Sequence, residues 1–72
     1  MTNSTKEIFR NNVKLYRHKK GYTQEKLSEV TGISSDYLSE IERGKRTTSF
    51  KRILLIADAL EIEVYKLFLP QI

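Results

Sequence analysis

The sequence contains no cysteine and no tryptophan, and only one histidine and one proline. Without cysteine there is no disulfide to staple a small fold and no thiolate to hold a metal, so stability must come from a compact apolar core. His18 has no partner at metal-ligand spacing and reads as a solvated helix residue; no metal site is expected. One histidine and scattered hydroxyls assemble no nucleophile and base, and no glycine-rich phosphate loop occurs, so neither an enzyme nor a cofactor is expected. Long apolar runs are missing as well. Nothing approaches the roughly 20 residues that span a bilayer, and no charged, apolar and small-residue leader opens the chain. A cytoplasmic protein without a membrane partner is the expectation. The sequon Asn3-Ser4-Thr5, lacking a secretion signal, reads as a chance match. Glycine falls only at Gly21, Gly32 and Gly44, each punctuating a helix-like stretch. Strand-like alternation is weak throughout, and residues 1–72 are read as one all-α domain.

What is present is concentrated in residues 23–42. This run reads as two short helices joined by a tight turn, with Leu27, Val30, Ile33, Leu38 and Ile41 supplying the apolar spacing. Gly32 falls where a chain leaving a helix needs a left-handed residue, which glycine adopts without a Cβ penalty. Thr23 and Ser34 stand at N-cap positions. A helix pair built this way leaves the outer face of its second helix uncovered and able to enter a DNA major groove. Three more helices are expected around it. The first covers residues 5–19, with Ser4 and Glu7 as a capping box and Phe9, Val13 and Tyr16 on one stripe. The fourth begins near Ser49 and runs to Leu60, with Phe50, Ile53, Ala57 and Leu60 inward. A short fifth covers about 64–69 and stops before Pro70.

Charge is distributed in blocks. Residues 1–20 carry six basic side chains against Glu7 alone, and residues 43–52 carry Arg43, Lys45, Arg46, Lys51 and Arg52 with no acid. Between them lie Glu25, Glu29, Asp36, Glu40 and Glu42 against Lys26. Two basic blocks flanking a helix pair could grip phosphates on both sides of a groove, adding affinity that does not depend on sequence. Solvated surface charge would produce similar blocks, so charge alone does not decide for nucleic acid.

Arg17, Gly21–Leu27, Gly32-Ile33-Ser34, Tyr37-Leu38-Ser39 and Ile41–Arg46, followed by Ala57–Ile62 and Leu67-Phe68, stand in a distinctive order and spacing. In these the chain resembles the helix-turn-helix DNA-binding domain of the phage repressor and Cro (Xre-like) family over roughly residues 9–69. Within that family it looks most like the small stand-alone controller proteins of restriction–modification systems. The resemblance implies a five-helix repressor-like fold and a homodimeric transcription regulator. Two positions depart from the family pattern. Thr47-Thr48 stand where Asn-Pro is common before the fourth helix, so Thr48 or Ser49 must cap it. Glu61 stands where glycine often closes that helix.

Residue roles follow from chemistry and from the resemblance, position by position. The leading residues of a groove-inserted helix read bases, which selects Ser35 and Asp36, then Tyr37 and Ser39. Asp36 could accept from a cytosine amine, and Tyr37 could meet a thymine methyl or simply cover core. Asp36 and Glu40 make this helix acidic, and Arg43, Lys45 and Arg46 stand ready to offset them. Arg46 is assigned to a base, since its planar fork suits guanine and a flexible arginine does this in some relatives. Thr23, Gln24, Ser34, Arg43 and Lys45 are assigned to phosphates; in the family a glutamine at the position of Gln24 lies against the backbone. The resemblance implies a partly buried structural ion pair between Arg17 and Glu42. Leu55, Ile62, Val64, Tyr65 and Phe68, with Leu67, exceed what so small a core needs, so a dimer through about residues 55–69 is expected. The competing reading is that Ile62, Leu67 and Phe68 close the core. Double-stranded DNA with a palindromic operator and a second copy of the chain are the expected partners, with RNA polymerase a candidate third. The alternative is a protein-interaction module, such as an antitoxin-like partner, built on the same fold; the basic loop 43–46 argues against it.

Overall fold

The computed structural model describes residues 4–71, so Asn3 of the sequon lies outside it. Four α-helices are present: α1 (Thr5–Lys19), α2 (Gln24–Thr31), α3 (Ser35–Glu42) and α4 (Phe50–Leu60). A 3₁₀ turn, Val64–Phe68, follows them. The expected fifth α-helix is therefore corrected to a 3₁₀ turn. Glu63 makes no side-chain cap there. Leu69 is extended, as the residue before a proline tends to be, so the segment is too short to propagate an α ladder.

Each α-helix starts on a hydroxyl. Ser4, Thr23, Ser34 and Ser49 accept, respectively, from the backbone N–H groups of Glu7, Lys26, Tyr37 and Arg52. Ser49, not Thr48, takes the place of the missing proline. At α1 the cap is reciprocal, because Glu7 accepts from the Ser4 backbone N–H at 3.1 Å. That bond, followed by the Ser4 hydroxyl, holds the Glu7 carboxyl below its ordinary range.

The helix ends are closed by left-handed residues. Gly32 (φ 77°) ends α2, and a Cβ there would meet nothing within 4 Å, so the demand for glycine is one of backbone dihedral alone. Gly44 (φ 73°) ends α3 in a Schellman arrangement, with Lys45 N–H on Glu40 C=O at 2.8 Å and Gly44 N–H on Ile41 C=O at 3.0 Å. Space also matters at this second glycine, because a Cβ would lie 2.9 Å from Arg10 Cδ. Glu61 closes α4 in the same way at φ 57°, with Ile62 N–H on Ala57 C=O.

The core gathers Val13, Leu27, Leu38, Ile41, Ile56 and Leu67, all fully buried, with Phe9, Ile33, Ala57, Ala59 and Leu60 around them. Burying each large side chain contributes about 1.5–3 kcal/mol. Two expectations are corrected. Phe50 is 66% exposed, because the buried stripe of α4 runs through positions 53, 56, 57 and 60 and the first turn projects past the core. Val30, at 47%, lies on the outer side of α2. Asn12 is buried for a polar reason: its Nδ2 donates to the carbonyls of Lys66, Leu67 and Leu69 at 3.2, 3.0 and 2.8 Å. One amide thus ties the 3₁₀ turn and Leu69 to α1, satisfying carbonyls that lie at a segment end, where no helical N–H reaches them.

Candidate nucleic-acid interface

A buried polar joint holds α1, α2 and α3 in fixed relation. Arg17 Nε donates to Glu42 Oε2 at 2.7 Å and its Nη2 to Oε1 at 3.0 Å, a bidentate pair in which both residues are 8% exposed. Arg17 Nη1 donates to the Tyr22 carbonyl at 2.8 Å, so the chain entering α2 is bound to the same guanidinium. Gln24 Nε2 adds a third bond to Glu42, at 3.1 Å. Such a pair repays its desolvation through good geometry and extra hydrogen bonds, and both are present.

On this frame α3 is carried by one face. Leu38 and Ile41 are buried, while Asp36 is exposed and Ser35, Ser39 and Glu40 are half-buried. Two capping hydroxyls open α2 and α3. Each of Thr23 and Ser34 uses its oxygen to accept from the backbone, leaving its O–H free to donate to a ligand. Gln24 likewise spends one amide hydrogen on Glu42 and keeps the other. Arg43 and Lys45 are exposed at the end of α3, and Arg43 Nε reaches back to the Ser39 carbonyl at 3.4 Å.

Tyr37 organises the basic segment. Its ring is half-buried against the core, and its hydroxyl donates to Thr48 Oγ1 at 3.1 Å. The guanidinium carbons of Arg46 and Arg52 lie 4.6 and 4.7 Å from the ring centroid, within cation–π range. Arg46 Nε also donates to Glu40 Oε1 at 2.7 Å, and that bond, with the Glu40 charge, raises its already high pKa. Arg46 is thus a charged fork held at one edge of α3, between an acid and an aromatic ring. Sequence reasoning placed Tyr37 and Arg46 here but did not see Arg52 or Thr48 join them. A tyrosine followed by hydroxyl and basic residues 11 to 15 positions on was the available signal, and helical periodicity does not reach across a loop.

The residues expected at a dimer surface divide. Leu55 (38%) and Tyr65 (58%) are exposed, alongside Leu54 (43%) and Phe50 (66%). Ile62, Val64 and Phe68 pack against the core, and the Phe68 ring stacks on Phe9 at 5.3 Å. Leu67 is fully buried. The core therefore claims much of what the sequence offered to a partner. Among the described residues, no cluster of His, Asp or Glu is arranged to hold a metal, and no helix is long and apolar enough to cross a membrane.

Four α-helices with a capped α2–α3 turn and an outward α3 define a helix-turn-helix protein. A helix-turn-helix family model matches residues 13–67, and the chain belongs to that family. It is similar to control protein C.SmaI of Serratia marcescens, with 35% identity over 66 residues, covering 92% of this chain and 79% of that protein. It is also similar to the uncharacterized HTH-type transcriptional regulator YazB of Bacillus subtilis, with 42% identity over 65 residues, covering 90% of this chain and 94% of that protein. Among solved structures, the restriction-modification controller protein C.AhdI of Aeromonas hydrophila superposes with a TM-score of 0.84 at 36% identity, covering 88% of this chain and 96% of that one.

Proposed function

We propose that this chain acts as a homodimer on a palindromic DNA operator, as a controller of the restriction–modification type. The class is that of a DNA-binding regulator of transcription rather than an enzyme. The observation that carries the finer reading is the outward face of α3 with Arg43, Lys45 and Arg46 at its end, mounted on the Arg17–Glu42 joint. Ser35, Asp36, Ser39, Tyr37 and Arg46 are the base-reading set, and the free donors of Thr23, Gln24 and Ser34 join Arg43 and Lys45 on phosphates. Exposed Leu55 and Tyr65 support self-association through the end of α4 and the 3₁₀ turn, with the outer edges of Ile62, Val64 and Phe68 beside them.

Selection of bound duplexes from a random pool tests this. The expected product is a symmetric consensus. Ser35→Ala and Asp36→Ala should alter the preferred base at one symmetric position, whereas Gln24→Ala and Lys45→Ala should weaken all duplexes alike and flatten the salt dependence. Absence of duplex binding even at low salt would overturn the reading and favour the protein-interaction module.

A further inference from the structure

Apart from the outer face of α3 and the exposed side of α4, the first turns of α1 border a cleft. It holds about 120 Å³ and opens between the first turns of α1 and the loop that follows α3. Phe9, Ile41, Ile53 and Phe68 give it an apolar floor, drawn from the core and the residues packed on it. Lys6, Arg10 and Arg46 also line it, and no carboxylate does. Arg10 is seated by its close packing on Gly44. Among the described residues the neighbouring acids are engaged: Glu7 caps α1 and lies 3.9 Å from Arg10, and Glu40 pairs with Arg46.

An apolar floor beside three cations selects a ligand with both characters. A small inorganic anion would leave the floor wet, and a neutral hydrocarbon would draw nothing from the basic rim, where Arg10 and Arg46 each have one acidic neighbour and Lys6 has no ion pair among the described residues. Size narrows the choice, because an apolar cavity of about 150 Å³ accepts benzene. One aromatic ring therefore matches the scale of this half-open cleft, and a carboxylate on it would emerge among the basic side chains, where charge-assisted bonds to a guanidinium are strong. We propose that this cleft is an effector site for a compact aromatic carboxylate, and that its occupation withdraws Arg46 from DNA. The second half rests on Arg46 being a DNA contact. The coupling is geometric: Arg46 lines the cleft and is shared between Glu40 and the Tyr37 ring, so a bound carboxylate competes for the same cation.

Benzoate is the probe, titrated by heteronuclear NMR at fixed ionic strength, with benzyl alcohol as its neutral counterpart. Saturable shifts are expected at Phe9, Ile41, Ile53 and Phe68, with benzyl alcohol binding about tenfold more weakly because it lacks the charge-assisted bond. The double variant Lys6→Gln/Arg10→Gln should fold normally and lose most of the preference for benzoate over the alcohol. Saturating benzoate should raise the Kd for the selected duplex at least threefold, roughly what sharing one cation between two ligands implies. Absence of saturable shifts, or equal binding of both probes, overturns the site. Benzoate binding that leaves duplex affinity unchanged overturns its role as an effector. A chain that binds no duplex without benzoate overturns the DNA reading instead, while the NMR titration still decides the cleft.

Discussion

Arg46 is the residue at which charge and shape can be told apart. Its guanidinium lies on the Tyr37 ring and donates to Glu40, two contacts that orient a planar fork but matter less for a point charge. Arg46→Lys keeps the charge and removes the fork. If Arg46 reads a guanine, discrimination at that base pair should fall on the order of tenfold while affinity for unrelated duplexes changes little; an unchanged binding profile would falsify the assignment. Glu42 tests the opposite quality, because it serves the frame. Glu42→Ala strands Arg17 in a buried site, and the expected loss is about 3–5 kcal/mol, most of what so small a fold possesses. Replacing both partners, as Arg17→Met/Glu42→Leu, should cost clearly less in urea unfolding, since no unpaired charge remains. At this scale the sequence was only partly legible. Arg17 and Glu42 stood out through resemblance and are found paired. Asn12 carried no local signal, because its acceptors lie 54 to 57 positions away.

Helix boundaries were easier to read, since they depend on neighbours in sequence. Four hydroxyl caps and three glycines with positive φ sit at helix ends that local chemistry marks. What periodicity could not convey was where the core stops along each stripe. Phe50 and Val30 fit an apolar rhythm and yet lie outside, whereas Ile56, absent from the expected inward set, is fully buried. The end of α4 offers the sharpest experiment. Glu61 occupies a left-handed conformation that costs a non-glycine residue about 1 kcal/mol or more. In partial return, its carboxylate pairs with Lys20 across the α1 end, an exposed contact of small value. Glu61→Gly should therefore raise stability by about 0.5–1 kcal/mol, a gain of a few degrees in the thermal midpoint. Lys20→Ala should change it by less than about 0.5 kcal/mol. A fall in midpoint for Glu61→Gly would show that the ion pair outweighs the backbone strain.

For the whole molecule the open quantity is the number of copies. Phe50, Leu54, Leu55 and Tyr65 leave apolar surface uncovered on α4 and the 3₁₀ turn. A two-fold dimer would set two α3 helices in successive major grooves, about 34–36 Å apart. Sedimentation at tens of micromolar should then report a dimer, and Leu55→Glu should shift it toward monomer by tenfold or more in Kd, because a charge would have to be buried. The same variant should bind a single half-site almost normally and lose the advantage of the full palindrome. A monomer for the parent chain across that concentration range would refute the arrangement. Composition hinted at this surface but overstated it: Phe68 stacks on Phe9 and Leu67 fills the core, so the apolar surplus is smaller than a residue count suggests.

The polar joint at Arg17 and Glu42 has a bearing on how such a protein diverges. Because orientation of α3 is settled behind it, by groups that face away from solvent, Asp36 can be exchanged without disturbing the core, and Ser35 nearly so. If Ser35 and Asp36 read bases as proposed, single replacements at these two sites would retune what is recognised while the scaffold stays solvent-tight. Glu40, Tyr37, Arg46 and Arg52 form the contrary case, since each is in contact with another of the set. A lineage can therefore drift by small steps at Ser35 and Asp36, but must move several positions together where Tyr37, Glu40, Arg46 and Arg52 meet.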